Sequence, residues 1–179
     1  MRHHSYNRNM FRAAVITVSD SSFEGRRADL SGPAVVKLLE ANGFAVIGHI
    51  LVPDEQLMIE DALREQCAVA RLVVTTGGTG IGLRDVTPEA TRAVCSRLLE
   101  GFGELMRIEG RKHTQFAPLS RAISGTCGST LIVNLPGSPK GAVTSLEAVL
   151  SLVPHALTLL DGNGTHHDES DVAGLPIKS

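Results

Sequence analysis

The sequence predicts an α/β protein in which a mainly parallel sheet is covered by helices on both faces. Short runs rich in Val, Ile, Leu and Thr alternate along the chain with longer segments of helical periodicity. Each run is apolar almost throughout, which is typical of strands that are buried on both faces of a sheet. This alternation favours βαβ units with right-handed crossovers.

Four of the apolar runs are predicted to be strands. In chain order they are residues 13–18, 44–51, 72–76 and 130–135. Residues 19–31 form a polar loop, and the next helix is expected to have Ser31 as its N-cap and Gly43 just beyond its end. After the second strand, Asp54 is a candidate N-cap for a helix that runs to about Val69.

Two helices are predicted after the third strand. Thr87 is the expected N-cap of the first, which runs over residues 88–99 and has a proline at its first position. Gly101 and Gly103 mark a break in the pattern. A short helix is then predicted over residues 104–110.

The last third of the chain is less regular. Residues 111–129 are polar, and they are compatible with a hairpin, an irregular excursion or a short extra strand. A long helical pattern starts at about Ala142, after the fourth strand. Pro154 should kink or split this helix, because a proline inside a helix removes a hydrogen bond.

The most distinctive stretch runs from Thr75 to Glu89, where the third strand passes through a glycine-rich loop into a helix. Such loops bind anions through their N–H groups, although many are only tight turns. The spacing matches neither the P-loop nor the dinucleotide fingerprint. The loop also contains Asp85, which repels phosphate unless a cation lies between them. The stretch therefore indicates anion binding together with a divalent cation, and Mg²⁺ suits its oxygen ligands.

Polar segments follow all four predicted strands, namely residues 19–21, 77–85 and 136–141, and Asp54 just after the second strand. Because the carboxyl ends of parallel strands lie at one edge, these segments should line a single crevice. Asp54 and Asp85 should then lie close together. Two carboxylates about 4 Å apart repel by roughly 4 kcal/mol at an effective dielectric of 20. A bridging cation or a bound proton would relieve this repulsion, whereas in the simpler interpretation Asp54 only caps a helix.

Other polar side chains also have two interpretations each. Arg84, beside the loop carboxylate, could contact a phosphate. Glu104 and Arg107 could mark a functional helix face, but a surface ion pair is the simpler interpretation, and such pairs contribute little stability. Ser138 lies between two prolines on a rigid turn, which suits an anionic or heterocyclic ligand but needs none.

Composition limits the function classes. A chain of 179 residues suits one domain over residues 13–161, with a flexible leader at 1–12 and a mobile tail at 162–179. The net charge of −2 gives no reason to expect nucleic-acid binding, and no apolar run is long enough to span a membrane, so the cytoplasm is the expected compartment. The cysteines are odd in number and lack C-x-x-C spacing, which predicts small buried thiols and neither a disulfide framework nor a zinc site. They are Cys67, Cys95 and Cys127.

Six segments, in this order, resemble the MogA/MoaB-type molybdenum cofactor biosynthesis proteins, whose domain also occurs in the plant Cnx and animal gephyrin fusions. The resemblance covers about residues 12–161, and segments 102–107 and 119–121 look closer to the MogA branch than to the MoaB branch. The six segments are Ser19-Asp20-Ser21, Asp29-x-Ser31-Gly32-Pro33, Val52-Pro53-Asp54-Glu55, Thr76-Gly77-Gly78-Thr79-Gly80 with Arg84-Asp85-Val86-Thr87-Pro88-Glu89-Ala90-Thr91, Ser120-Arg121, and Asn134-Leu135-Pro136-Gly137-Ser138-Pro139.

The resemblance implies a three-layer α/β/α sandwich, commonly assembled as a homotrimer, with molybdopterin adenylyltransferase activity. In that reaction AMP passes from ATP to the phosphate of molybdopterin in the presence of Mg²⁺, giving adenylyl-molybdopterin and pyrophosphate. The implied partners are these small-molecule substrates and, transiently, the molybdate-insertion protein. Neither nucleic acid nor a membrane is implied.

The resemblance also assigns roles by position. Asp54 and Asp85 match the family's essential acidic pair, which would hold the Mg²⁺. The nucleotide side is expected at Ser19, Asp20, Gly77, Gly78, Thr79 and Gly80. The pterin-dithiolene side is expected at Glu104, Arg107, Ser120, Arg121 and Ser138.

Three other functions stay open for a domain of this kind. The first is a non-catalytic molybdopterin-binding protein, in the manner of some MoaB-type relatives, and ATP-dependent release of pyrophosphate with molybdopterin would separate it from the enzyme. The second is a cofactor-insertion domain of the MoeA type, but those chains are much longer. The third is a scaffolding domain as in gephyrin, for which the sequence offers no evident partner site.

Overall fold

A computed structural model describes residues 11–162 and contains a six-stranded sheet in the order β2-β1-β3-β6-β5-β4. Four strands run parallel to one another, and the hairpin of β5 and β6 together with the short β4 adds an antiparallel edge. The strands are β1 (Arg12–Val18), β2 (Ala45–Val52), β3 (Leu72–Thr76), β4 (Arg97–Leu98), β5 (Ser124–Cys127) and β6 (Thr130–Leu135).

Helices cover both faces of this sheet, so the predicted three-layer α/β/α sandwich is confirmed. α2, α5, α6 and α7 pack on one face, and α3 and α4 pack on the other. The helices are α1 (Asp20–Phe23), α2 (Ser31–Ala41), α3 (Gln56–Cys67), α4 (Thr87–Val94), α5 (Glu100–Arg111), α6 (Pro139–Leu150) and α7 (Val153–Leu160), with a 3₁₀ turn at Ala117–Leu119.

The strand β1 shows why the apolar runs are continuous. Val15 joins the core under α2 and α6, whereas its neighbour Ile16 joins the core under α3. Both side chains are fully buried, because successive residues of a strand point to opposite faces and both faces are covered. β1 begins at Arg12, one residue earlier than predicted. Residues 1–10 of the predicted leader, and the tail beyond residue 162, lie outside the described residues.

The middle of the chain departs most from prediction. α4 ends at Val94 instead of residue 99, because the backbone turns extended and the Ser96 N–H donates to the carbonyl of Thr126 at 2.8 Å. α5 then runs without a break through Gly101 and Gly103, so the predicted break was wrong. A Cβ at Gly103 would lie only 2.8 Å from the carbonyl oxygen of Ala122, so this glycine serves close packing inside a helix.

Of the three interpretations for residues 111–129, the structure shows the short extra strand, since β5 lies in this segment and pairs antiparallel to the predicted strand β6. In the predicted loop 19–31 it shows the short helix α1, capped by the Ser19 hydroxyl. Ser31 is the first residue of α2 and does not cap it. The cap position is Leu30, and the carboxylate of Asp29 accepts the Gly32 N–H at 3.0 Å, so the predicted cap was wrong.

The last helical pattern is split as predicted. α6 starts at Pro139, three residues before the expected start, and the Ser138 hydroxyl caps it by accepting the Gly141 N–H at 3.2 Å. Pro154 lies in the first turn of α7, and the two helix axes differ by 60°. Within residues 11–162 no single helix has the length and apolar composition to cross a membrane. The bent pair of α6 and α7 has that length and composition only when the two helices are counted together.

The three cysteines are free and half-buried, and all pack against the core under α3 and α4. Full burial was predicted, so the expectation holds only in part. Burial raises the pKa of the Cys95 thiol to about 11. Burial and the neighbouring Cys127 also raise the pKa of Cys67. Thiols of this kind stay protonated at neutral pH, so they are poor nucleophiles.

A buried amide ties the sheet to α4. Asn134 on β6 is fully buried and donates to the hydroxyls of Thr75 at 3.0 Å and of Thr91 at 2.9 Å. We expect Asn134→Ala to lower the free energy of unfolding by about 2 kcal/mol or more, because it leaves a small cavity and two buried hydroxyls with fewer partners. Urea unfolding measures this change.

Asn42 provides the matched control, since its side chain is exposed and makes one bond to the carbonyl of Leu38 at 2.8 Å. Asn42→Ala should cost less than about 0.5 kcal/mol. Equal losses in the two variants would show that the buried amide does not hold β3, β6 and α4 together.

Candidate active site

The carboxyl ends of β1, β2, β3 and β6 meet at one edge of the sheet, where a cavity of about 330 Å³ opens between the loops that follow them. We call it the acidic cavity. Its walls include Ser19, Asp54, Gly77, Gly78, Asp85 and Ser138. The structure therefore brings together residues from four separate strand ends, as parallel strands with open ends allow.

Asp54 is joined to Asp20 by two reciprocal hydrogen bonds. The Asp20 N–H donates to Asp54 Oδ2 at 2.8 Å, and the Asp54 N–H donates to Asp20 Oδ1 at 2.9 Å. Asp54 does not cap α3, which starts at Gln56 with Glu55 as its cap residue, so the helix-cap interpretation was wrong. The pair of bonds locks the loop after β2 to the loop after β1.

Arg84 completes this connection. Its guanidinium donates to both carboxylate oxygens of Asp20, at 3.0 Å each. The side chain interpreted as a possible phosphate contact is thus engaged within the protein. The Asp54 N–H and Arg84 together lower the pKa of Asp20. Asp20 does not line the acidic cavity. Its observed role is to link the loops after β1 and β2 to residues 77–85, which we call the glycine loop.

The glycine loop bends sharply towards β1. Gly77 and Gly78 have φ angles of +99° and +62°, and a Cβ at Gly77 would clash with the carbonyl oxygen of Val18. Thr87, predicted to be an N-cap, is instead the first residue of α4, and its buried hydroxyl donates to the Gly77 carbonyl at 2.9 Å. A Cβ at Gly78 would lie 3.1 Å from Asp54 Oδ1, so this carboxylate lies directly against the loop.

Asp85 closes the loop from its other end. Its Oδ2 atom accepts the Gly82 N–H at 2.8 Å, and the side chain lines the same cavity as Asp54. Burial raises the pKa of Asp54, and the negative charges of Asp20 and Asp85 raise it further. The cavity thus holds carboxylates that repel each other and that have few cationic partners.

A divalent cation fits this donor set. The described residues contain no group of three or more His, Cys, Asp or Glu side chains that could hold a metal by themselves. Mg²⁺ does not need such a cage, because it usually binds one or two carboxylates and completes its shell with water and substrate phosphates. Asp54 and Asp85 supply carboxylates of that kind beside a loop suited to phosphate.

Arg121 supports the glycine loop from behind. Its N–H donates to the Thr79 carbonyl at 2.8 Å, and its Nε donates to the Gly80 carbonyl at 2.6 Å. The guanidinium also bonds the Asp85 carbonyl and forms an ion pair with Glu89. Thr79, Gly80 and Arg121 therefore lie outside the acidic cavity and determine the shape of the loop that lines it.

A second cavity of about 400 Å³ lies between α5, the 3₁₀ turn and the start of α6. We call it the apolar cavity. It contains the predicted residues Arg107, Ser120 and Ser138, together with His113 and Lys140, which the sequence did not single out. Its apolar walls include Met106, Phe116, Ala117 and Pro136. Ser138 lines both cavities, so they adjoin at this turn.

Glu104 and Arg107 do not form the expected surface ion pair. Arg107 donates to the carbonyls of Ala122 at 3.2 Å and Ser120 at 3.4 Å, which turns its guanidinium towards the apolar cavity. Glu104 is exposed on α5 and lines neither cavity. The i, i+3 spacing suggested a shared helix face, but the guanidinium of Arg107 instead binds carbonyls of the segment that leads into β5.

Comparison with known proteins identifies the family. The family model described as "Probable molybdopterin binding domain" matches residues 14–155. The chain belongs to this family. Every strand that borders the acidic cavity lies within the match or begins just before it. The resemblance stated from six sequence segments is therefore confirmed.

Three members of the molybdopterin-binding family illustrate the likeness. The molybdopterin adenylyltransferase of Helicobacter pylori J99 is 41% identical over 168 residues, covering 92% of this chain and 96% of that protein. A solved structure of the molybdopterin biosynthesis enzyme MoaB from Thermus thermophilus has 49% identity and a TM-score of 0.81, covering 86% of this chain and 98% of its own. A MogA structure has 34% identity and a TM-score of 0.79, and the match covers 83% of this chain and 99% of the MogA chain. Whole-chain identity thus does not follow the MogA preference expected from two segments.

The raised pKa of Asp54 makes a prediction about pH and stability. A carboxyl group whose pKa is higher in the folded than in the unfolded protein destabilises the fold when it ionises. The loss of folding free energy therefore grows as the pH rises from the ordinary pKa near 3.8 through the raised pKa of the folded protein. We expect Asp54→Asn to raise the melting temperature by roughly 1–3 °C at pH 7 and to have no such effect near pH 3. Calorimetry across this range measures the difference.

Asp61→Asn is the control, because Asp61 is exposed on α3 and its substitution removes the same charge from a solvated position. It should give no pH-dependent gain. A similar gain in both variants would mean that net charge, and not the acidic cavity, is responsible.

The bonds of Arg121 make a second prediction, about the glycine loop. Arg121→Ala should speed hydrogen exchange of the amides over residues 78–85 by about tenfold or more, because several charge-assisted bonds to that loop are lost. Arg92→Ala removes an exposed arginine of α4 and should leave these rates unchanged. Unchanged exchange in the first variant would show that Arg121 does not hold the loop.

Proposed function

We propose that this chain is a molybdopterin adenylyltransferase of molybdenum cofactor biosynthesis, which transfers AMP from ATP to the phosphate of molybdopterin. The observation that carries the proposal is the meeting of Asp54 and Asp85 beside the glycine loop, in a cavity that adjoins an apolar one. The nearly full-length likeness to a relative named molybdopterin adenylyltransferase supports the same activity.

The reaction needs alignment more than acid–base chemistry. An oxygen of the molybdopterin phosphate attacks the α-phosphorus of ATP, a new P–O bond forms, and pyrophosphate leaves with the electron pair of the broken P–O bond. The attacking phosphate oxygen is already anionic, so no side chain has to remove a proton. The chain must hold two anionic groups in line and offset their repulsion.

Asp54 and Asp85 are the residues that would hold Mg²⁺. When bound, the ion supplies positive charge beside the phosphates, which these carboxylates would otherwise repel. The pKa shift of Asp54 supports this role, because a carboxyl group that ionises reluctantly gains most from a cationic partner. Asp20, bonded to Asp54, positions it.

The two cavities suit the two substrates. The acidic cavity is lined by Ser19 and by Gly78 of the sharply turned glycine loop, so we assign the nucleotide phosphates to it. The apolar cavity combines apolar walls with Arg107 and Lys140, which suits a flat heterocycle with an anionic group. Ser138, common to both, then lies where the phosphate of molybdopterin meets the α-phosphate of ATP.

A second candidate is a non-catalytic molybdopterin-binding protein. The 49% identity to the Thermus MoaB structure supports a place near that branch. The intact pair of carboxylates beside the glycine loop favours the enzyme, because pterin binding alone does not require it. Incubation with ATP, Mg²⁺ and molybdopterin decides between them: release of pyrophosphate with formation of adenylyl-molybdopterin supports the enzyme, and tight molybdopterin binding without release supports the carrier.

We also propose a cytoplasmic homotrimer that contacts the molybdate-insertion protein transiently. Exposed apolar side chains on the edge strand β2 and the neighbouring α3 support an assembly through this side of the sheet. They are Ile47, Leu51, Leu57 and Met58. Sedimentation velocity measures the oligomeric state.

The proposed role of Asp85 predicts a separation of binding from turnover. Asp85→Asn should keep the fold and molybdopterin affinity but reduce the rate of adenylyl transfer by about 100-fold or more, because one carboxylate beside the phosphates is lost. The Gly82 N–H keeps an acceptor, since an asparagine oxygen can replace Asp85 Oδ2. Pyrophosphate release measures the rate, and fluorescence titration measures molybdopterin binding.

Asp61→Asn again serves as the charge-matched control and should transfer AMP at the wild-type rate. Near-normal turnover by Asp85→Asn would refute the assigned role. Loss of molybdopterin binding in that variant would place the carboxylate on the pterin side instead.

A further inference from the structure

Arg27 is the one lysine or arginine among the described residues that lines the acidic cavity. It lies on the loop between α1 and α2, which contributes residues 27–30 to the lining of the cavity. The sequence analysis assigned it no role. Its side chain is exposed, and within residues 11–162 it forms no ion pair. Its neighbour Arg26, by contrast, is paired with Glu24 at 2.5 Å.

The loop that carries Arg27 is anchored at both ends. At its start, the N–H groups of Arg26 and Arg27 both donate to the Ser21 carbonyl, at 2.9 and 3.1 Å. At its end, the Asp29 carboxylate accepts the Thr17 hydroxyl at 2.6 Å and lies 3.0 Å from His49 Nε2. Arg27 therefore projects from a held segment.

Asp29 also lines this wall, but its charge is already matched. Burial opposes its ionisation, yet hydrogen bonds from Thr17 and the Gly32 N–H outweigh burial and, together with His49, lower its pKa. All of its partners lie within the fold. The carboxylates that stay under-compensated are Asp54 and Asp85, next to the glycine loop. The lining of the cavity thus combines carboxylates at the glycine loop with Arg27, which has no ion-pair partner in the part of the chain that the structure describes.

Arg27 lines a different cavity from the cations that are proposed to bind the second substrate. The cations of the apolar cavity are Arg107 and Lys140, and neither lines the acidic cavity. The cavities adjoin at Ser138, and Arg27 belongs only to the acidic one. In an in-line displacement the leaving group points away from the attacking oxygen, so pyrophosphate would leave on the side away from the apolar cavity.

We propose that Arg27 binds the β- and γ-phosphates of ATP and holds the pyrophosphate as it departs. This inference rests on the proposed function, because it takes ATP as the ligand of the acidic cavity. A guanidinium suits the task, since its fork of N–H donors matches phosphate oxygens in pairs. Its positive charge also offsets the charge that develops on the leaving group.

The test is a binding experiment that needs no turnover. Calorimetric titration with magnesium pyrophosphate, and separately with AMP, is carried out on the wild type, Arg27→Ala and Arg26→Ala. We expect Arg27→Ala to weaken pyrophosphate binding about tenfold or more and to change AMP binding less than twofold. Arg26→Ala removes the same charge from the adjacent, paired position and should change neither.

Arg27→Lys should retain part of the pyrophosphate affinity, because it keeps the charge and loses the paired donors. Equal pyrophosphate affinity in Arg27→Ala and Arg26→Ala would overturn the inference, as would an equal loss of AMP and pyrophosphate binding in Arg27→Ala. Failure of the wild type to transfer AMP would refute the proposed function, and the titrations would still decide the role of Arg27.

Discussion

The structure depends on holding carboxylates together at the edge of a parallel sheet. Asp54 and Asp85 come from different strand ends, and nothing in their mutual electrostatics favours the arrangement. The fold holds them there through bonds that involve their backbones and one oxygen each: Asp20 for the first, and the Gly82 N–H for the second. Because those bonds do not cancel the repulsion, the site stores a preference for a positively charged ligand.

The loops at this edge are fixed by side chains that have no direct part in the chemistry. Arg121 braces the glycine loop from outside, Thr87 ties it to α4, and Arg84 connects it through Asp20 to β1 and β2. From the sequence, Arg84 and Arg121 are interpreted as ligand contacts and Thr87 as a helix cap. The geometry shows that a glycine-rich loop becomes a defined binding surface only through such neighbours.

The main strands and the layer arrangement could be read from the sequence because continuous apolar runs are a strong signal of buried strands. β5 could be predicted only as one of three alternatives, since Ser-Gly-Thr-Cys contains no long apolar side chain and is recognisable as a strand only from its pairing with β6. The three predicted helix caps failed because each side chain is held by another partner. The Ser31 hydroxyl donates to the nearby Asp29 carboxylate, the Thr87 hydroxyl donates to the Gly77 carbonyl, and the Asp54 carboxylate accepts the N–H of Asp20. Arg27 was not singled out from the sequence, because no local pattern shows which arginine of a loop will line a cavity.

Ser138 has a wider consequence. Its hydroxyl is engaged as the cap of α6, and the turn around it forms part of the wall of both cavities. A ligand that shifts this turn on one side would alter the shape offered on the other, and such a shift would couple the occupancy of the two cavities. The affinity for each substrate is then a property of the pair, and the order in which they bind can be set by a single helix start.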